Sequence, residues 1–141
     1  MQEKILKGHK VVKGKASGEA LVSNQPFCFS QNVDIRSGVV VEKGNEWEGI
    51  SIAGKILVFP IGKGSSGTSE FLYQLALCGT QPGGIINLRA DPVIVVGAIL
   101  GDIPMVDRLD GNPLQLIRTG DHVELDADNG IVRVGSREPE T

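Results

Sequence analysis

KILVFPIGKGSSGTSEFLYQLALC, running from Lys55 to Cys78, is the stretch whose reading decides the fold. After Lys55 the chain is continuously apolar to Ile61, the pattern of a strand buried on both faces. From Ser65 to Cys78 the pattern changes to that of a helix with its start near Ser66. Phe71, Leu72, Leu75 and Ala76 fall on one stripe. Glu70 lies in the first turn, where the helix dipole favours a carboxylate, and Gly79 is placed to stop the helix. Strand, glycine-rich loop and helix in that order define an α/β unit.

The flanks extend the unit. GGIINL reads as a second strand, DPVIVVGAILG as a helix with Asp91 as N-cap and Pro92 at its first position, and IPMV as a third strand. Strands joined through helices pair in parallel. The first third looks different. Val11–Val12 and Ala20–Val22 are β-prone and separated by Gly14 and Gly18, which suggests a hairpin or meander. Asn24 to Gly38 is a long irregular stretch of the kind that covers something or carries function. VVVEKG adds another short strand. HVELD and GIVRV flank Asn129–Gly130, a strong hairpin signal. The expectation is therefore a single α/β domain over residues 1–134, with a β-rich wrapping around a central parallel β-α-β-α-β segment. Residues 135–141 form a polar, flexible tail.

Composition narrows the function. The chain has 141 residues, 40% of them hydrophobic, enough for one well-cored domain. Its net charge is −3, its lysines and arginines are scattered, and it holds one Trp and one Tyr. That leaves no basic stripe or stacking platform for nucleic acid. No apolar run reaches the ~18 residues that span a bilayer, and MQEKILKGHK holds no apolar signal core. The expected setting is the cytoplasm, without nucleic-acid or membrane partners. Cys28 and Cys78 are far apart and read as free thiols; two thiols fall short of the about four ligands of an iron–sulfur cluster.

The loop IGKGSSGT, Ile61 to Thr68, carries the chemistry. A phosphate-binding P-loop would need Gly at Leu57 and Ser or Thr at Gly64, so nucleotide binding is disfavoured. A purely structural reading makes Ser66 a helix cap and the glycines a tight turn. Yet the loop and first helical turn offer Ser65, Ser66, Thr68 and Ser69, and Lys63 adds a cation where a helix start is already electropositive. That combination suits a small anionic ligand. A catalytic serine is the sharper reading. His9 and His122 lie in β-rich segments with no visible tie to the loop, and no G-x-S-x-G elbow is present, which argues against a hydrolase.

GKGSSGT followed by ALCGTQPGGIINLRADPVIVVGAILGDIP resembles the small subunit of the aconitase X family. GEALVSNQPFCFSQNVDIRSG and GISIAGKILVFPIGKGSS resemble the same family's swivel domain, and the likeness runs from about Gly8 to Val134. The resemblance implies a swivelling β/β/α fold like the last domain of aconitases. It implies a hydro-lyase whose iron–sulfur cluster sits on a large partner subunit, with no cofactor or metal on this chain. By the same resemblance Ser65, the first serine of the pair, is the general base and Ser66 a substrate-binding hydroxyl. The remaining substrate-binding set is Gly62, Lys63, Gly64, Gly67 and Thr68. The wider superfamily has arginine where this chain has Gly67, so Lys63 or a partner group must hold the substrate anion.

The resemblance implies two substrates, 5-phosphomevalonate and cis-3-hydroxy-L-proline, and a free-standing small subunit leans toward the first. GDIPMV…LIRTGDHVELDADNGIVRV also resembles phosphohistidine swivelling domains, but NLRADPV holds no histidine for that chemistry. A non-catalytic binding module is the remaining class.

Overall fold

The computed structural model describes residues 3–63 and 67–135. Its elements, in chain order, are β1 (Glu3–Lys7), β2 (His9–Val12), β3 (Lys15–Val22), β4 (Ile56–Phe59), α1 (Thr68–Leu77), β5 (Gly84–Asn87), α2 (Pro92–Leu100), β6 (Met105–Asp107), α3 (Pro113–Leu116), β7 (His122–Asp126) and β8 (Ile131–Gly135). The eight strands form one mixed sheet in the order β1-β8-β7-β3-β4-β5-β6-β2.

The edge strands of that sheet, β1 and β2, are separated in sequence only by Gly8. They form one extended run that pairs with β8 on its first stretch and with β6 on its second, both antiparallel. The sheet therefore curls until its two edges meet, which removes the open edges that invite aggregation. Gly8 is the joint. Its N–H donates to the carbonyl of Gly130, and a Cβ at this position would stand 2.6 Å from the carbonyl oxygen of Asp107.

Among the named strands, parallel pairing is confined to β3·β4, β4·β5 and β5·β6, so the central β-α-β-α-β segment expected from sequence is present. Its strands are buried on both faces because two cores flank them. In β4, Ile56 and Val58 point into the interior of the curled sheet, where they meet Leu6, Ala20, Val123 and Val132. Leu57 and Phe59 point outward to Leu72 and Leu75 of α1 and Ile94 and Ala98 of α2. The period of two distributes one apolar run between two cores.

The first third departs from expectation. The β2 run does not form a hairpin with β3; β3 pairs with β4 and β7 instead. VVVEKG forms no regular strand but isolated bridges from Val39 to Ser51 and from Val40 to Val33 and Glu48. β1 and α3 are elements that the sequence patterns did not single out. The β7–β8 hairpin turns where expected, with Gly130 at φ 68°. β8 reaches Gly135, and the rest of the expected tail lies outside the described residues.

Candidate active site

The site is built at the carboxyl ends of the parallel strands, where α/β sheets bind ligands because crossover loops diverge there. β4 ends at Phe59 as Pro60 removes the next donor, and the chain enters the glycine loop. The amide of Leu88, just past β5, donates to the carbonyl of Pro60 at 2.9 Å. The fully buried Asn87 donates through Nδ2 to the carbonyl of Phe59 at 3.0 Å. The two crossover loops are thus tied together at their origins.

A second tie comes from the long irregular stretch. The amide of Phe27 donates to Ile61 at 3.2 Å and that of Lys63 donates to Phe27 at 2.8 Å, a parallel bridge centred on Gly62. Phe27 is anchored in turn by Phe29 (ring centroids 4.8 Å), Trp47 (5.0 Å) and Phe59 (5.9 Å), all buried. The two Phe–Phe contacts are edge-to-face, an arrangement that adds about 0.5–1.5 kcal/mol each beyond burial, and the Trp47 ring is tilted at 50°. The Asn24–Gly38 stretch therefore does cover something: it straps the incoming side of the glycine loop to the core.

Gly62 is required by space. A Cβ there would stand 2.2 Å from Ile94 Cδ1 and 3.3 Å from Asp91 Cβ, so the loop passes in van der Waals contact with the start of α2. Asp91 is the N-cap of α2, accepting from the amides of Val93 and Ile94, with Pro92 behind it as expected.

On the outgoing side α1 begins at Thr68, with Gly67 as N-cap, the residue after Ser66. The first amides of a helix have no intrahelical acceptor, and Gly67 brings no side chain to satisfy them. Thr68 is 1% exposed, with Oγ1 3.9 Å from Cys28 Sγ. The serine pair expected to act on substrate, Ser65 and Ser66, lies with Gly64 outside the described residues. Of the expected set, Gly62, Lys63, Gly67 and Thr68 are described, and they flank that pair in sequence.

Lys63 lines a cleft of about 450 Å³ whose other walls include Cys28, Asn32, Glu42, Lys43 and Asn45. The sequence reading missed this wall. The signal was there in Lys43–Gly44, a cation beside a turn residue, but nothing local says that VVVEKG folds beside the glycine loop. His9 and His122 are exposed on β2 and β7, and neither lines the cleft.

Among the described residues, no three His, Cys, Asp or Glu side chains are placed to hold a metal ion. The donor set itself does not fit a cluster. Cys28 touches the first residue of α1 and Cys78 is its C-cap, so the thiols flank opposite ends of a ten-residue helix, about 15 Å long at the usual rise. Nearby, Asp34 turns the strap by accepting from the amide of Ser37 at 3.0 Å and from its hydroxyl, and these bonds hold its carboxyl below the ordinary aspartate value.

A mixed, curled sheet with two helices on its outer face, and with Gly62–Lys63 and Gly67–Thr68 beside its strand ends, is the architecture of a swivelling α/β domain of the aconitase type. The family model described as the aconitase X swivel domain matches residues 5–134, and the chain belongs to that family. The phosphomevalonate dehydratase small subunit of Methanocella arvoryzae is 44% identical over 129 residues, spanning 92% of this chain and 98% of that one. Its namesake from Thermococcus kodakarensis is 46% identical over 129 residues, spanning 92% and 95%. The crystal structure of Thermococcus kodakaraensis aconitase X in its holo-form superposes with a TM-score of 0.87 at 44% identity, covering 93% of this chain and 98% of that chain. The solution structure of a UPF0107 protein gives 0.84 at 39% identity, covering 92% and 97%. No described helix is long and apolar enough to cross a membrane.

Proposed function

We propose that this chain is the small subunit of a cytoplasmic phosphomevalonate dehydratase, a hydro-lyase that is active only when joined to a larger subunit. The observation that carries this reading is the identity of 42–46% with chains named for that subunit, over nine-tenths of the length. The location of Gly62 and Lys63 just past the end of β4 supports it.

Dehydration removes a proton from one carbon and hydroxide from its neighbour, leaving a double bond between them. In this reading Ser65 takes the proton as general base. Lys63, with the amides of the loop and of the first turn of α1, holds and orients the anionic substrate. Ser66 contacts the substrate. An iron–sulfur cluster carried by the larger subunit would supply Lewis-acid chemistry toward the leaving hydroxyl. Because acid and base come from different chains, the site lies where the subunits meet.

The test is turnover by the two-chain complex, with cluster content matched, on 5-phosphomevalonate and on cis-3-hydroxy-L-proline. The expected result is loss of one water from phosphomevalonate, seen by mass. Turnover of the proline derivative alone overturns the substrate assignment. Full activity of either chain by itself overturns the shared site.

A further inference from the structure

The cleft beside the glycine loop has a feature that proton abstraction does not use. Two lysines line it, Lys43 and Lys63, both exposed and from segments twenty residues apart in sequence. Among the described residues neither has a carboxylate within ion-pair distance; the pairs present there involve Lys55, Arg108 and Arg133. Among the described residues one carboxylate stands in the cleft wall, Glu42, engaged through Oε1 by Asn45 Nδ2 at 3.0 Å. The wall therefore carries a net positive charge, in a chain whose net charge is −3.

Lys43 is not on a loose tip. The following residues are fixed at several points. Glu48 Oε1 accepts from the amide of Gly44 at 3.0 Å, and Asn45 Oδ1 accepts from the amide of Trp47 at 2.8 Å. Trp47 is 2% exposed, packs on Phe27 and donates through Nε1 to the carbonyl of Val22 at 3.2 Å. Glu46 accepts from the Ser23 hydroxyl at 2.9 Å. This scaffold buries Trp47 while leaving Lys43 exposed at the cleft. Through the shared contact with Phe27, it also ties the Lys43 wall to the residue that straps the glycine loop.

We propose that this cleft is the subsite for the terminal phosphate of the substrate, with Lys43 as its principal cation, while Lys63 serves the anionic group nearer the reacting carbons. The assignment rests on the substrate reading above. A lysine ammonium is a compact point charge suited to phosphate. Two separated cations match a substrate that is anionic at both ends, and they supply the charge that Gly67, in place of a superfamily arginine, does not.

The experiment has two arms. In the two-chain complex, Lys43→Ala should raise KM for 5-phosphomevalonate at least about tenfold, as expected for one charge-assisted contact, with kcat falling far less. It should weaken competitive inhibition by inorganic phosphate by a similar factor, and Lys43→Arg should restore most of both. In the full-length chain, inorganic phosphate should shift the backbone amide resonances of Lys43, Gly44 and Lys63 at constant ionic strength. Chloride should not, and Lys43→Ala should abolish the response. Unchanged KM and unchanged phosphate inhibition in an active Lys43→Ala complex overturn the subsite and leave the dehydratase reading standing. A complex inactive on phosphomevalonate, whose small subunit still shows the Lys43-dependent phosphate response, overturns the dehydratase reading and leaves the anion subsite standing.

Discussion

Gly62 lies against Ile94 so closely that a methyl group on its Cα would overlap the Ile94 side chain, at 2.2 Å from Cδ1 and 2.7 Å from Cγ1. Ile94 is 1% exposed and held in the core between the sheet and the helices. It has nowhere to retreat. The contact fixes the height of the glycine loop over α2, and the Phe27 bridge fixes its lateral position.

Gly62→Ala should therefore destabilise the chain by about 1–3 kcal/mol through overpacking. Ile94→Val removes Cδ1 and by itself costs about 0.5–1.5 kcal/mol. The double variant should be more stable than the sum of the two losses predicts, because losing Cδ1 removes the tighter of the two overlaps and leaves the one at 2.7 Å from Cγ1. Denaturant unfolding of the four chains measures this coupling. Strict additivity would show that the two residues do not meet.

Ser65→Ala should leave folding and partner binding intact and lower kcat by at least ~10²-fold, the low end for loss of a general base. Ser66→Ala should act mainly on KM. The N-cap of α1 is Gly67, so the loss of about 1 kcal/mol expected from removing a capping hydroxyl is not expected here. Lys63→Ala should raise KM more than it lowers kcat if the lysine holds substrate equally in ground and transition states. Steady-state kinetics on the reconstituted complex separates these outcomes; near-full turnover by Ser65→Ala would reduce the loop to a turn.

Joining the larger subunit should slow amide exchange in two segments of this chain, Gly62–Thr68 and Asn24–Gly38. They are coupled by the Phe27–Gly62 bridge, and Gly67 lies close to Ser30. Hydrogen exchange on the free chain and on the complex gives the comparison. Unchanged exchange in both segments would place the interface elsewhere.

The Asp34 turn should respond to acid in one direction only. Bonds from Ser37 depress the carboxyl, so the folded state binds its proton less readily than the unfolded state. The stabilisation is then complete above the ordinary aspartate value and disappears as pH falls through the lower, folded value. Carboxyl-carbon NMR should place Asp34 below the ordinary range, and Ser37→Ala should return it toward that range. An ordinary titration in the unaltered chain would contradict the turn geometry.

Much of this protein was legible in the residues. The α2 helix was marked by Asp91 and Pro92, the end of α1 by Gly79 and the last hairpin by Asn129–Gly130, because caps and turns are local chemistry. The doubly buried character of β4 was also visible, since a strand between two cores must be apolar at every position. The motif series that resembles aconitase X carried the family. Other features depended on pairing across long sequence distances. His9–Val12 looks like half of a hairpin, and its real partner is β6, nearly a hundred residues on. The sheet closes at Gly8 because the β1–β2 run passes there from pairing with β8 to pairing with β6, which no local pattern encodes. The same limit hid Lys43. Its neighbours in sequence are a surface turn, and it becomes part of a site only because Trp47 and Phe27 pack together and bring that turn beside the glycine loop. Local free energy chose the elements; the burial of aromatic side chains distant in sequence chose which loops share a cleft.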